Sequence, residues 1–312
     1  MKNISYVLII LLTLMCISCV DKVHYLDRNY PGLTPQKYAQ GIINVEGRLQ
    51  QNITMSPDGR EHLITQTDSE MWRYERILRI KSSGNNEAVV DTPRFVHNFE
   101  YENFWFIGEP MISPDNKNLY FVADYPPDYF RSTRASDGDW SEPVKMDSIS
   151  TDSRDWFISV SKNNTLYFAQ TIIDNPEDPS LEMNGRIFKS PSIDGEHFSK
   201  IEVDGLFNHD DAGDPVISPN EDYLVFGSAR KGGLGKTDLY VAFKNEDDTW
   251  TDAYNLGSEI NTVHWESGPY ISPDEKYLFF SRRDSSGVNA RFSDIYWVSM
   301  EVVENMRNDV KD

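Results

Sequence analysis

The chain has 312 residues, 39% hydrophobic and 12% aromatic, with 30 basic against 50 acidic side chains and a net charge of −20. So acidic a surface repels phosphates, which excludes a bare nucleic-acid or anionic-membrane role. Two cysteines (Cys16 and Cys19) build no disulfide framework and no cysteine-based metal site, and the six histidines show no ligand spacing, so neither metal nor cofactor is expected.

Residues 1–18 hold one lysine, the apolar run YVLIILLTLM and a small residue before cysteine, the pattern of a secretory signal and too short to span a bilayer. Ser18-Cys19 reads as a bacterial lipoprotein cleavage site with Cys19 acylated. The position three before it is Cys16 where leucine is usual, and the alternative assigns both cysteines to the signal alone. The expected organisation is a signal at 1–18, a tether at 19–29, one folded domain at 30–302 and a frayed charged tail at 303–312.

From Ile53 onward one phrase recurs: an apolar stretch, Ser-Pro-Asp-Gly or a degraded form, then a second apolar stretch rich in Tyr and Phe. It reads ITMSPDGREHLI from Ile53, PMISPDNKNLYFVA from Pro110, ISVSKNNTLYFAQ from Ile158, PVISPNEDYLVFGS from Pro215 and PYISPDEKYLFFSR from Pro269. Its serines (Ser56, Ser113, Ser161, Ser218, Ser272) are 57, 48, 57 and 54 residues apart, a repeat-architecture period. Proline presets φ at the second turn position, and Asp, Asn and Gly suit the conformations that follow, so each phrase is a hairpin.

A third strand follows at RILRIK (Arg76), YFRSTRAS (Tyr129), RIFKS (Arg186), DLYVAF (Asp238) and DIYWVS (Asp294). An edge-like fourth follows at DWSEPVKM (Asp139) and TWTDAYNL (Thr249). Four strands per roughly fifty residues predict an all-β propeller of five four-stranded blades, with a divergent sixth left open. The fifth unit ends near Met300 after three strands, so an N-terminal strand must close the ring, and GIINVEGRL from Gly41 is the candidate.

Ser-Pro-Asp-Gly followed by Leu-Tyr-Phe, with Asp-Leu-Tyr or Asp-Ile-Tyr about twenty residues on, resembles the WD-like propeller repeats of the TolB type, from about Tyr30 to Met300. YPGLTPQKYAQGIIN (Tyr30 to Asn44) resembles the lead-in to such repeats in a group of bacterial envelope lipoproteins of unknown function. The resemblance implies a β-propeller in the cell envelope, held at the outer membrane on its periplasmic or surface face, and a protein or peptide partner.

No hydrolase motif is present. GGLGKTD from Gly232 lacks the first glycine of a phosphate-binding loop, which falls on Arg230, and it joins two strands. SDGDWSEP from Ser136 lacks the spacing of a sialidase Asp box, and no Gly-x-Ser-x-Gly elbow occurs. No catalytic residue is therefore assigned. The crossings into the innermost strands, FWFIGEP, SRDWF, HDDAGDP and HWESGP, set Trp105, Trp156 and Trp265 beside Glu109, Asp155, Asp214 and Glu266, expected around the mouth of the central channel. The insertions IIDNPEDPSLEMNGR (Ile172) and SARKGGLGKTD (Ser228) are expected to rise on that side.

Three functions fit. The first is a non-enzymatic protein- or peptide-binding or scaffold module, whose acid surface favours a basic partner. The second is glycan recognition by the tryptophan and acid rim. The third is a glycoside hydrolase or lyase using a pair of rim carboxyls. Membrane contact is expected only through Cys19.

Overall fold

The computed structural model describes residues 23–67, 74–82, 88–101, 104–152, 154–173, 183–284 and 290–311. These residues form an all-β propeller of three separate four-stranded sheets, a nine-stranded sheet in which two further four-stranded units are joined by the parallel pairing of Tyr74–Glu75 with Trp105–Phe106, and a two-stranded hairpin. Blade 1 comprises Leu49–Met55, Glu61–Thr67, Tyr74–Ser82 and Ala88–Asp91; blade 2 comprises Phe104–Ile112, Asn118–Ala123, Asp128–Thr133 and Val144–Lys145. Blade 3 comprises Asp155–Val160, Leu166–Ile173, Met183–Ser190 and Ile201–Glu202; blade 4 comprises Gly213–Ile217, Tyr223–Ser228, Asp238–Phe243 and Tyr254–Asn255. Blade 5 takes Trp265–Ile271, Tyr277–Arg283 and Ser293–Ser299 from the C-terminal end, and Gln36–Lys37 from the N-terminal end. Each innermost strand packs against the next, and that of blade 5 against that of blade 1, so the sheets close a ring.

The repeated phrase has a physical cause. All five turn serines are buried. Ser113 Oγ donates to Asp115 at 2.6 Å and accepts from Asn118 N at 2.9 Å, fixing both the turn and the start of the next strand. Ser56 and Ser272 do the same with Asp58 and Asp274. Blade 3 lacks the turn aspartate, and Ser161 Oγ donates instead to Glu221 in the next blade's turn at 2.7 Å. The degraded unit keeps the serine's job and borrows its acceptor.

Ring closure differs from expectation. The closing strand is Gln36–Lys37, paired antiparallel with Trp297 and Tyr296, rather than the segment from Gly41. Gly41 and Gly47 both have positive φ, which turns the chain. Gly41 to Arg48 is instead a crossing into blade 1, like those that precede the other inner strands. The backbone makes the equivalence explicit: Tyr38, Met146, Val203 and Leu256 each follow a fourth strand and donate N–H to the third strand at Ile295, Tyr129, Ile187 and Leu239. Each crossing then clamps that third strand with a side chain. Asn44 bonds both the N–H and C=O of Ile295 (2.8 and 2.8 Å), Asn208 those of Ile187 (2.7 and 3.0 Å) and Asn261 those of Leu239 (2.8 and 2.9 Å). Blade 2 uses Ser150, which accepts from Tyr129 N.

Both ends of the chain differ from the tether and tail expected of them. Val23 and Tyr25 are buried; His24 N donates to the Asp58 carbonyl at 2.8 Å, and Tyr25 Oη donates to Asp274 at 2.5 Å. Residues 23–27 thus form a strap across the turns of blades 1 and 5, held by the Tyr25, Tyr277, Phe279 and Trp297 ring cluster. A Cβ on Gly59 would sit 2.3 Å from the His24 carbonyl oxygen, so only glycine admits the strap there. At the other end Glu301–Lys311 is a helix, α1. Val303 is buried against blades 4 and 5, and Arg307 bonds Asp222 at 2.7 Å while covering Tyr223 and Phe243, which is why this charged segment is ordered. Strap and helix occupy the face that carries the Ser-Pro-Asp turns.

Candidate ligand pocket

Every innermost strand breaks register at one point, four residues before its turn serine. The residues there are Asn52, Glu109, Phe157, Asp214 and Gly268. Four of them have positive φ: 55° at Glu109, 39° at Phe157, 48° at Asp214 and 56° at Gly268. A bulge bends its strand and re-aims a side chain, and non-glycine residues tolerate this conformation only where the surroundings impose it. Here the five positions converge on the channel axis.

Phe157 closes that axis. A Cβ on Gly268 would lie 2.9 Å from the Gln51 carbonyl, 3.0 Å from Asn52 Cβ and 3.3 Å from Phe157 Cε1. The phenyl ring from blade 3 therefore reaches to blades 5 and 1, and blade 5 needs glycine to receive it. Above this plug lies a cavity of about 290 Å³, whose lining includes Glu75, Glu109, Trp156, Asp214, Trp265 and Arg283. The lining residues stand at strand ends remote from the Ser-Pro-Asp turns, so the cavity opens on the opposite face from strap and helix.

The predicted rim divides in two. Glu109 Oε2 accepts from Phe157 N at 2.7 Å and Asp214 Oδ2 from Gly268 N at 3.1 Å, each tying its blade to the next. Glu109 is 3% exposed, and its carboxyl is held well above the ordinary range by burial, with Glu75 and Asp214 adding repulsion. Asp214 is pushed up to about 7, again chiefly by burial. Asp155 and Glu266 sit two residues earlier in the repeat, fully buried, and turn back to their own crossings. Asp155 accepts from Thr151 N and Oγ1 and from Gln170, and burial still pushes it to about 6. Glu266 accepts from Thr262 N and Oγ1 and pairs with Arg282 Nε at 2.7 Å. Neither lines the cavity.

Of the tryptophans, Trp156 and Trp265 are half-buried and line the cavity, Trp156 held by a 3.1 Å bond from Nε1 to Thr171 and by edge contact with Phe106. The side chain of Trp105 lies outside the described residues, as do Cys19 and positions 174–182 of the first insertion. Sequence reasoning missed Glu75, Gln51 and Arg283, which reach the cavity from blades 1 and 5 without an acid-tryptophan signature. The glycine-rich loop offers no phosphate cradle: Leu234 N and Gly235 N donate to Asp238, and the loop packs on the crossing at His264. Among the described residues no three His, Cys, Asp or Glu side chains converge to hold a metal ion.

No protein-family model matches the chain, and no curated protein matches it. Solved structures do. A glycoside hydrolase aligns with TM-score 0.55 and 14% identity over 86% of this chain and 92% of its own, and an α-L-arabinofuranosidase from Lactobacillus brevis with TM-score 0.53 and 13% identity over 82% and 93%. TolB from Acinetobacter baumannii aligns with TM-score 0.49 and 12% identity over 81% of this chain, which spans 57% of its length. At such identity the likeness is one of fold: the chain is a β-propeller.

Proposed function

We propose that this protein is an extracytoplasmic binding propeller, lipid-anchored through Cys19 in a bacterial envelope, whose blind pocket receives a carbohydrate. One observation carries the reading: Trp156 and Trp265 share one cavity with Glu109 and Asp214, each of which gives one oxygen to a neighbouring blade. Indole rings cover apolar sugar faces, and carboxyls accept from or donate to hydroxyl groups. At about 290 Å³ the cavity suits one or two sugar rings. Phe157, packed against Gly268, narrows the axis against a threaded peptide.

A second reading, glycoside hydrolysis, draws on the raised Asp214 and Glu109 carboxyls, since a general acid must hold its proton near neutral pH. Titration of the full chain with neutral mono- and oligosaccharides, followed by calorimetry and tryptophan fluorescence, tests both. Saturable binding that is lost in Trp156→Ala and Trp265→Ala, with no reducing ends released, supports the binding reading. Turnover abolished in Glu109→Gln assigns the hydrolase, and silence across the panel refutes the carbohydrate assignment.

A further inference from the structure

The strap fixes more than the N-terminal end of the domain. Val23 is 6% exposed and Tyr25 7%, and their neighbours are the turns of blades 1 and 5: His24 N on the Asp58 carbonyl, Tyr25 Oη on Asp274. The chain therefore enters the domain at the turn face. Val23 follows Cys19 by only four positions. Fully extended, they reach about 14 Å. The cavity opens at the far ends of the same strands, and seven-residue strands such as Glu61–Thr67 and Tyr277–Arg283 carry it roughly 23 Å further away.

We infer that the Ser-Pro-Asp turn face is the membrane-facing surface of the anchored protein, so that the pocket opens away from the bilayer. The inference rests on the proposed acylation of Cys19. Two further features of that face suit a headgroup layer. Tyr30 and Leu33, 47% and 46% exposed, follow the strap across blade 5, where Tyr30 stacks on Tyr277 and Ser299 N donates to the Gly32 carbonyl. An amphipathic tyrosine with its ring on protein and its edge in solvent is at home in an interface. Three of the turns also set a basic side chain beside their aspartate, Asp58 with Arg60, Asp115 with Lys117 and Asp274 with Lys276, which lowers local repulsion there, while blade 4 keeps Glu221 and Asp222 on the same face. No helix among the described residues is long and apolar enough to cross a membrane.

Removal of the signal with Cys16 and acylation of Cys19 leave any introduced cysteine as the one free thiol. The test places a bimane label at Lys117→Cys, on the turn of blade 2 where the native side chain is 80% exposed, and at Val263→Cys, 75% exposed beside the pocket. The full lipidated chain is put into phosphatidylcholine vesicles carrying a headgroup spin label. Quenching at 117 about threefold stronger than at 263 is expected from the roughly 23 Å strand height. Equal quenching, or stronger quenching at 263, overturns the orientation while acylation stands. Mass spectrometry of the purified chain reads the other premise: an unmodified Cys19, which would itself take the label, overturns the anchor and the orientation together.

Discussion

Replacing Asp214 by Asn should stabilise the protein at pH 8 and leave it unchanged at pH 4. Burial, with Asp211 adding repulsion, lifts the Asp214 carboxyl from 3.8 to about 7, against the opposing Gly268 N–H. Between those values the folded state holds a proton that the unfolded chain has released, so stability falls as pH rises through the window and levels off above it. At about 1.4 kcal/mol per pH unit, the cost to the folded state at pH 8 is bounded by about 4 kcal/mol. Asp214 is only partly buried, which lowers the bound, so the variant should gain about 2 to 4 kcal/mol there. The amide oxygen of Asn retains the acceptor for Gly268 N–H, so the change isolates the charge. Asp155, pushed to about 6, tilts the wild-type profile the same way, which makes the difference between the two proteins the proper readout. Urea denaturation at pH 4, 6 and 8 with a common slope measures it. A difference of the same size at pH 4 and pH 8, or a variant less stable at pH 8, would refute the reasoning.

Other substitutions sort the remaining groups. Glu266→Gln should cost about 3 kcal/mol by stranding Arg282, yet leave ligand affinity unchanged because Glu266 lies outside the cavity; denaturation and calorimetry on one preparation check both halves. Asn261→Leu removes the partner of Leu239 N–H, while the Leu239 C=O keeps its bond from Leu256 N, for a loss of about 1 to 3 kcal/mol and faster hydrogen exchange at Leu239 than elsewhere in its strand. Phe157→Ala should lower stability by about 3 kcal/mol and open the axis, seen as an ordered water column in a crystal structure of the variant.

The fold was legible because each blade repeats a local device. Ser113 fixing its own turn and the next strand is a contact across five residues, and such contacts leave a sequence trace at every copy. Ring closure was harder, since its evidence is a pairing of Lys37 with Tyr296 across the whole chain. The trace was nonetheless present: an apolar residue followed by Asn at 43–44, 207–208 and 260–261 marks the crossing that clamps a third strand. Counting back seven residues from Asn208 and Asn261 reaches the fourth strands at Ile201 and Tyr254, and counting back seven from Asn44 reaches Lys37, inside the observed closing strand. The docking of α1 left no comparable trace, because Arg307 finds Asp222 and two rings through tertiary packing alone.

The pocket shows why proximity to a tryptophan was the wrong ruler and distance to the turn serine the right one. Counting back from Ser113 and Ser218, Glu109 and Asp214 fall four residues before the serine, on the bulge that faces the axis. Counting back from Ser161 and Ser272, Asp155 and Glu266 fall six before it, where Gln50 of blade 1 also stands and bonds back to its own crossing at Ile43. One backbone position therefore gives acids a structural duty and another gives them the cavity, while Phe157 and Gly268 fill the second position where blades 3 and 5 close the channel. A propeller acquires a site by breaking its own symmetry: five equivalent bulges carry Asn, Glu, Phe, Asp and Gly, and the chemistry lies in the differences among them.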